Sequence, residues 1–154
     1  MKKQFEILKA CREAIIETID DLSLDQLQVV PKGFKCNIFW HMAHCLIGQQ
    51  ILHYKFSNLD LLITNDWVEN YKKGTQTRFL INEDEVEFVK QKLIILVDQL
   101  EQDYEDKKFE TYNEFTTSMG IILNNIEDAI NFNNLHEGIH CGIIKAMKNL
   151  IVNF

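Results

Sequence analysis

One proline and six glycines in 154 residues constrain this chain more than any other feature of it. A β-sandwich or barrel reverses direction every ten residues or so, roughly, and draws its turns from glycine and proline. A chain this poor in both cannot supply so many reversals, so an all-α domain is expected. With 46% hydrophobic and 25% charged residues, residues 1–154 suit a single domain that buries a real core. Sixteen Lys and Arg against 23 Asp and Glu leave a formal charge of −7, which repels a phosphate backbone unless the charges segregate. Nucleic acid is therefore not an expected partner.

Apolar spacing places the helices. Phe5, Leu8, Ile15, Ile19 and Leu22 mark an amphipathic helix over 3–22 that Arg12 interrupts. Pro31 and Gly33 mark a loop, after which Asn37 can cap a second helix running to about Phe56. The pattern is irregular from Asn58 to Gly74. Asn82 can cap a third helix over 83–104, where Val86, Val89, Leu93, Leu96, Val97, Leu100 and Tyr104 repeat every three or four residues. A loop through Thr116–Ser118 leads to a last helix over about 123–150. Four helices of this length form a bundle, and no repeat or linker divides them.

The opening Met1-Lys2-Lys3-Gln4-Phe5-Glu6 lacks the apolar stretch of a signal peptide, and no run of about 18 apolar residues spans a membrane. A cytoplasmic protein without a membrane partner is the expectation. Cys11, Cys36, Cys45 and Cys141 form no C-x-x-C pair, which fits a reducing compartment and buried, small apolar side chains.

The five histidines separate on helical wheels. At about 100° per residue His136 lies about 40° from His140, inside a stripe shared with Ala129, Ile144 and Met147. His44 lies in the apolar stripe of Trp40, Ile47 and Ile51. Imidazoles four residues apart stand about 5–6 Å apart at Cβ and can converge on one ion. Each of the three can also be a core histidine bonded to a carbonyl or hydroxyl. One metal, however, satisfies three buried imidazoles at once. His41, one turn before His44, is expected to be solvated or half-buried, with orientation of a ligand as the other role open to it. His53 lies about 180° from His44 on a straight helix and is expected to be a bystander.

His136-Glu137-Gly138-Ile139-His140 spells H-E-x-x-H, the zinc-protease pattern. That enzyme class takes its third ligand downstream, yet Cys141–Phe154 contains no His, Asp or Glu. Glu137-x-x-His140 also matches half of a di-iron site, which needs further carboxylates on facing helices. Asn37–Leu59 contains none. A mononuclear site with its third ligand upstream is what remains.

Asn37-Ile38-Phe39-Trp40-His41-Met42-Ala43-His44-Cys45-Leu46, then Gln49-Gln50, Tyr71-Lys72-Lys73-Gly74-Thr75 and Leu135-His136-Glu137-Gly138-Ile139-His140-Cys141-Gly142 resemble the DinB-like family. This is the damage-inducible, metal-binding helical family, not the DNA polymerase that shares its name. The resemblance covers nearly the whole chain in order and spacing. It implies a four-helix up-down bundle with a long connection, a metal site between helices and a homodimer. It also implies a divalent metal, nickel or zinc first and iron or manganese next, on His44, His136 and His140. Characterised members include S-transferases and an isomerase that use low-molecular-weight thiols, while many members have no assigned activity.

The resulting expectation is a metal-dependent transferase acting on a small-molecule substrate with a low-molecular-weight thiol, or a hydrolase. Three imidazoles leave open positions at which water or a thiol is activated. Glu137, about 60° from His140 on the wheel, is a candidate catalytic base, an orienting group or a plain surface residue. Asn133 can hydrogen-bond a ligand or line a wet cavity. The other class is a non-enzymatic dimeric binding protein with a structural metal. Phe39, Met42 and Leu46 lie opposite His44, so that face needs a cover, either another helix or a second subunit. Gly48 and Gly142 are expected to ease packing beside the site.

Overall fold

The computed structural model describes residues 1–77 and 80–152. The chain runs through α1 (Lys2–Ile19), α2 (Leu24–Gln28), α3 (Ile38–Gln49), α4 (Asn65–Tyr71), α5 (Glu83–Glu105), β1 (Phe115–Thr116), β2 (Ile122–Leu123) and α6 (Ile126–Val152). The four long helices are those that the apolar spacing predicts. Both α1 and α3 pack against α5 and α6, which sets α1 across the bundle from α3 and makes the fold an all-α bundle. Along α1 the buried residues are Phe5, Leu8, Arg12, Ile15 and Ile19, and along α5 they include Val89, Leu93, Leu96, Val97 and Leu100.

Local chemistry starts the helices where the sequence says. The backbone N–H of Trp40 donates to the Asn37 side chain at 2.8 Å, and Asn82 and Glu85 form a reciprocal capping box. The short α2 escapes the apolar pattern, but Ser23 and Gln26 supply the same box. Also outside the predicted set is α4, whose seven residues are too few to show a period. Tertiary packing holds it: Trp67 stacks on Phe88 with centroids 4.8 Å apart, and Tyr71 meets Phe39 edge-on at 5.7 Å. The face of α3 opposite His44 is thereby covered within the chain, with Phe39 under α4 and Met42 and Leu46 in the main core.

Beyond Gln49 the rod of α3 continues as one π-helical turn, Gln50–Tyr54, and a 3₁₀ turn, Lys55–Ser57. It ends at Asn58 in the left-handed region, φ 58°. The predicted end near Phe56 is close, but the winding is not α-helical there. A π turn closes on the fifth residue instead of the fourth, so the wheel rotates out of phase. His53, within that turn, is fully buried.

The loop expected near 116–118 is the tip of a two-stranded hairpin that pairs Phe115 with Leu123 and Thr116 with Ile122. Thr117 closes it by accepting the Ile121 N–H on its hydroxyl at 3.1 Å and donating its own N–H to the Ile121 carbonyl at 2.9 Å. Phe115 stacks on Phe56 at 4.5 Å, which fixes the hairpin over the end of the α3 rod. No helix among the described residues is long and apolar enough to cross a membrane.

Candidate metal centre

The three histidines selected from the sequence meet where α3 lies against α6. His136 and His140, one turn apart on α6, have ring centroids 4.6 Å apart, and His44 from α3 lies 5.2 Å from the first and 5.0 Å from the second. One ligand atom from each falls within 4.8 Å of the others. His44 and His140 are only 8% and 9% exposed. His136 is half-buried.

His44 is fixed from two sides. Its Nδ1 lies 2.7 Å from the Tyr71 carbonyl, so Nδ1 carries the proton and Nε2 keeps a lone pair. Trp40, one turn earlier, stacks on the ring at 4.5 Å and 11°. The Trp40 indole N–H donates to the Thr75 hydroxyl at 2.9 Å, and that hydroxyl donates to the Lys72 carbonyl at 2.9 Å. The backbone turns sharply here, with Thr75 N–H bonded to the Lys72 carbonyl at 3.2 Å. Gly74 takes the φ of +93° that a turn of this kind requires at its third residue. The tract Tyr71–Thr75 thus acts as a clamp on His44, a role the sequence reading did not assign.

His41 is a correction. It is buried instead of solvated, and its Nδ1 lies 2.8 Å from Nδ1 of His140. When His140 donates in this pair, its Nε2 keeps the lone pair a metal ligand needs. The signal was present in His41-x-x-His44, since residues three apart share a helix face. His53 joins neither group. Neither of its ring nitrogens makes a well-formed hydrogen bond, and burial, opposed weakly by the nearby Ala129 backbone, pushes it down to about 3.

Burial is the first cause of neutral imidazoles throughout the cluster. It pushes His41 and His136 down to about 4, with His44 adding to the effect in each case. His140, facing three other imidazoles as well, falls to about 2. His44 is lowered too, against the pull of the Tyr71 carbonyl. All four rings are therefore uncharged near neutral pH and no proton need be displaced to free a ligand nitrogen. Buried Nδ1 of His136 has no hydrogen-bond partner. Three neutral imidazoles gathered in this way could hold a metal ion.

Glu137 does not face this cluster as a base. It is fully buried, with Arg12 Nε donating to Oε2 at 2.8 Å and Arg12 Nη2 to Oε1 at 2.6 Å. Asn133 Nδ2 donates to Oε1 at 2.9 Å, and Arg12 Nη1 reaches the Leu93 carbonyl at 2.8 Å. The expected catalytic base is corrected on this ground: the carboxylate is wholly buried, paired with Arg12 and not among the residues that line the cavity beside the histidines, so a substrate there does not reach it. The network ties α1, α5 and α6 together directly behind the histidine-bearing turn of α6. Asn133, expected to hydrogen-bond a ligand or line a wet cavity, belongs to it instead, and Arg12, which looked like a flaw in the stripe of α1, is its centre.

The cysteines are free, with Cys36, Cys45 and Cys141 buried. Burial, with the Glu137 charge adding, pushes Cys11 up to about 12 and Cys45 well above the usual thiol range. Such thiols are packing groups.

Beside His44 and His136 opens a cavity of about 130 Å³, walled by Ile47, Ile51, Leu52, Phe115 and Phe132. Gly48 borders it, and a Cβ there would lie 3.0 Å from Cε1 of His136, so any larger residue would press on that ring. Gly142 has no such neighbour and does not ease packing at the site.

A comparison with curated proteins finds no match. The family model of the DinB superfamily matches residues 7–144, a span that contains all three clustered histidines, and the chain belongs to the DinB superfamily.

Proposed function

We propose that this chain holds a divalent metal, nickel or zinc, on His44, His136 and His140 and uses it as a transferase that joins a low-molecular-weight thiol to an electrophilic small molecule. A hydrolase is the second chemistry that the same site supports. The observation that carries the reading is the opening of the three-histidine cluster onto the apolar cavity beside His44 and His136. A structural metal needs no vacant position and no adjoining cavity, whereas catalysis needs both.

When bound, the metal supplies Lewis acidity that activates a thiol or water near neutral pH. The protein's part is positioning. The Tyr71 carbonyl and the Trp40 ring hold His44, and His41 orients His140. The Arg12–Glu137 pair anchors the α6 turn from behind. Apolar walls exclude water from the reacting end of the substrate. In the transfer, a sulfur–carbon bond forms as the bond to the leaving group breaks, and the thiol proton goes to solvent.

We extend the proposal to a cytoplasmic homodimer. The exposed Ile121, Ile122 and Leu135 lie together around one shallow surface depression, a patch that a second copy would cover.

Metal analysis tests the site first. Wild type should carry close to one nickel or zinc per chain, and His44→Ala and His140→Ala should carry almost none. A screen of thiol conjugation to electrophiles on the same proteins then tests the activity. Unchanged metal content in both variants overturns the site, and a metal-loaded protein inactive toward every thiol and ester overturns the catalytic reading.

A further inference from the structure

The cavity beside the histidines carries information about what enters it. Its walls are apolar apart from the histidines, Thr117 and Ser118, and Lys73 is the one charged residue among those lining it. Six other lysines of the described chain are paired: Lys3 with Glu6, Lys9 with Asp98, Lys72 with Glu69, Lys90 with Asp20, Lys108 with Asp103 and Lys148 with Asp21. Lys73 has no ion-pair partner among the described residues. Its backbone is nonetheless held firmly, because it is the second residue of the Lys72–Thr75 turn that Trp40 and Gly74 lock in place. Its ammonium is close enough to His44 to add to the burial that keeps this ring neutral.

We propose that the substrate couples a compact apolar group, about the size of a benzene ring, to a carboxylate or similar anion, with the apolar part in the cavity beside His136 and the anion on Lys73. The inference rests on the catalytic reading only for which end of the substrate reacts. A cavity of about 150 Å³ lined by apolar side chains admits benzene, and the 130 Å³ here is of that size. A chain of net charge −7 repels anions at long range, so an anionic ligand needs a local cation at the mouth. Lys73 provides it as a point charge on a long stem, and the apolar walls below it favour a ligand whose far end is uncharged.

The probes are 3-phenylpropionate and its neutral amide, titrated calorimetrically at low salt into wild type and Lys73→Met, each metal-free and zinc-loaded. The carboxylate should bind wild type about five-fold more tightly than the amide in both metal states. Lys73→Met should erase that preference while leaving the amide unchanged, and added salt should weaken only the carboxylate. Ile51→Trp, which fills the cavity, should remove both ligands. Equal affinities in wild type, or a preference that survives Lys73→Met, overturns the role of Lys73. A preference that appears only with zinc and survives Lys73→Met places the anion on the metal, and also overturns it. Failure of both probes to bind overturns the apolar subsite. If zinc does not bind at all, the metal reading fails, and the metal-free titrations still decide this one.

Discussion

Arg12 of α1 and Glu137 of α6 form a two-pronged ion pair with both side chains wholly shielded from water. Taking one partner away strands a buried charge, which costs about 3–5 kcal/mol. Urea unfolding should show a loss of this size for Arg12→Met and for Glu137→Leu. The double variant should recover much of it, because an apolar pair of similar volume carries no desolvation penalty. Singles and double that all lose the same amount would show that the pair acts through shape and not charge.

The Nδ1–Nδ1 contact of His41 with His140 predicts a graded effect. His41→Ala should weaken metal binding about 10–100-fold, as loss of an orienting partner does, while His140→Ala abolishes it. Competition with a chelator of known affinity measures both. Equal loss in the two variants would make His41 a ligand instead of a positioning residue.

Two glycines on the helices that bear the site should respond oppositely to alanine. At Gly48 the new methyl group meets His136 at 3.0 Å, so Gly48→Ala should push the ring aside and lower metal affinity while the fold persists. At Gly142 nothing lies within 4 Å. Gly142→Ala should leave metal binding intact and stabilise α6 by about 0.5–1 kcal/mol, as expected for a helical position. Metal titration and thermal unfolding of the two variants check this contrast.

The metal-free protein should lose stability in acid. A histidine in the unfolded chain titrates near about 6.5, while His41 and His136 in the fold titrate at about 4, His53 at about 3 and His140 at about 2. Above pH 6.5 both states hold neutral rings and stability is full. As pH falls from there toward 4 the unfolded chain takes up protons that the folded chain refuses, and each such ring removes about 1.4 kcal/mol per pH unit. The urea midpoint should therefore drop steeply between pH 7 and pH 5, and proton uptake on unfolding should exceed one. The midpoint of His140→Ala should fall less steeply, since one refusing ring is gone.

The sequence alone determined the all-α class, the four long helices, two of their caps and the three clustered histidines. Those features are periodic or local: burial repeats every three to four residues, a cap is read from one side chain, and H-x-x-x-H places two rings on one face wherever the helix packs. The resemblance in Trp40-x-x-x-His44 and His136-x-x-x-His140 reached the same histidines that the wheels did.

Tertiary structure decided the rest, for one physical reason: the partners are far apart along the chain, and no local pattern encodes what crosses the core. Arg12 and Glu137 looked like a flaw and a catalytic candidate until packing of α1 on α6 made them one ion pair. α4 exists because Phe39 and Phe88 give its aromatics something to pack on. His53 stands apart from the cluster as expected, but its full burial follows from the elements packed around it, which a wheel does not show. Scarcity of proline and glycine made the chain helical; which helix faces meet, and hence which of five histidines gather beside a cavity, followed from how those faces exclude water from one another.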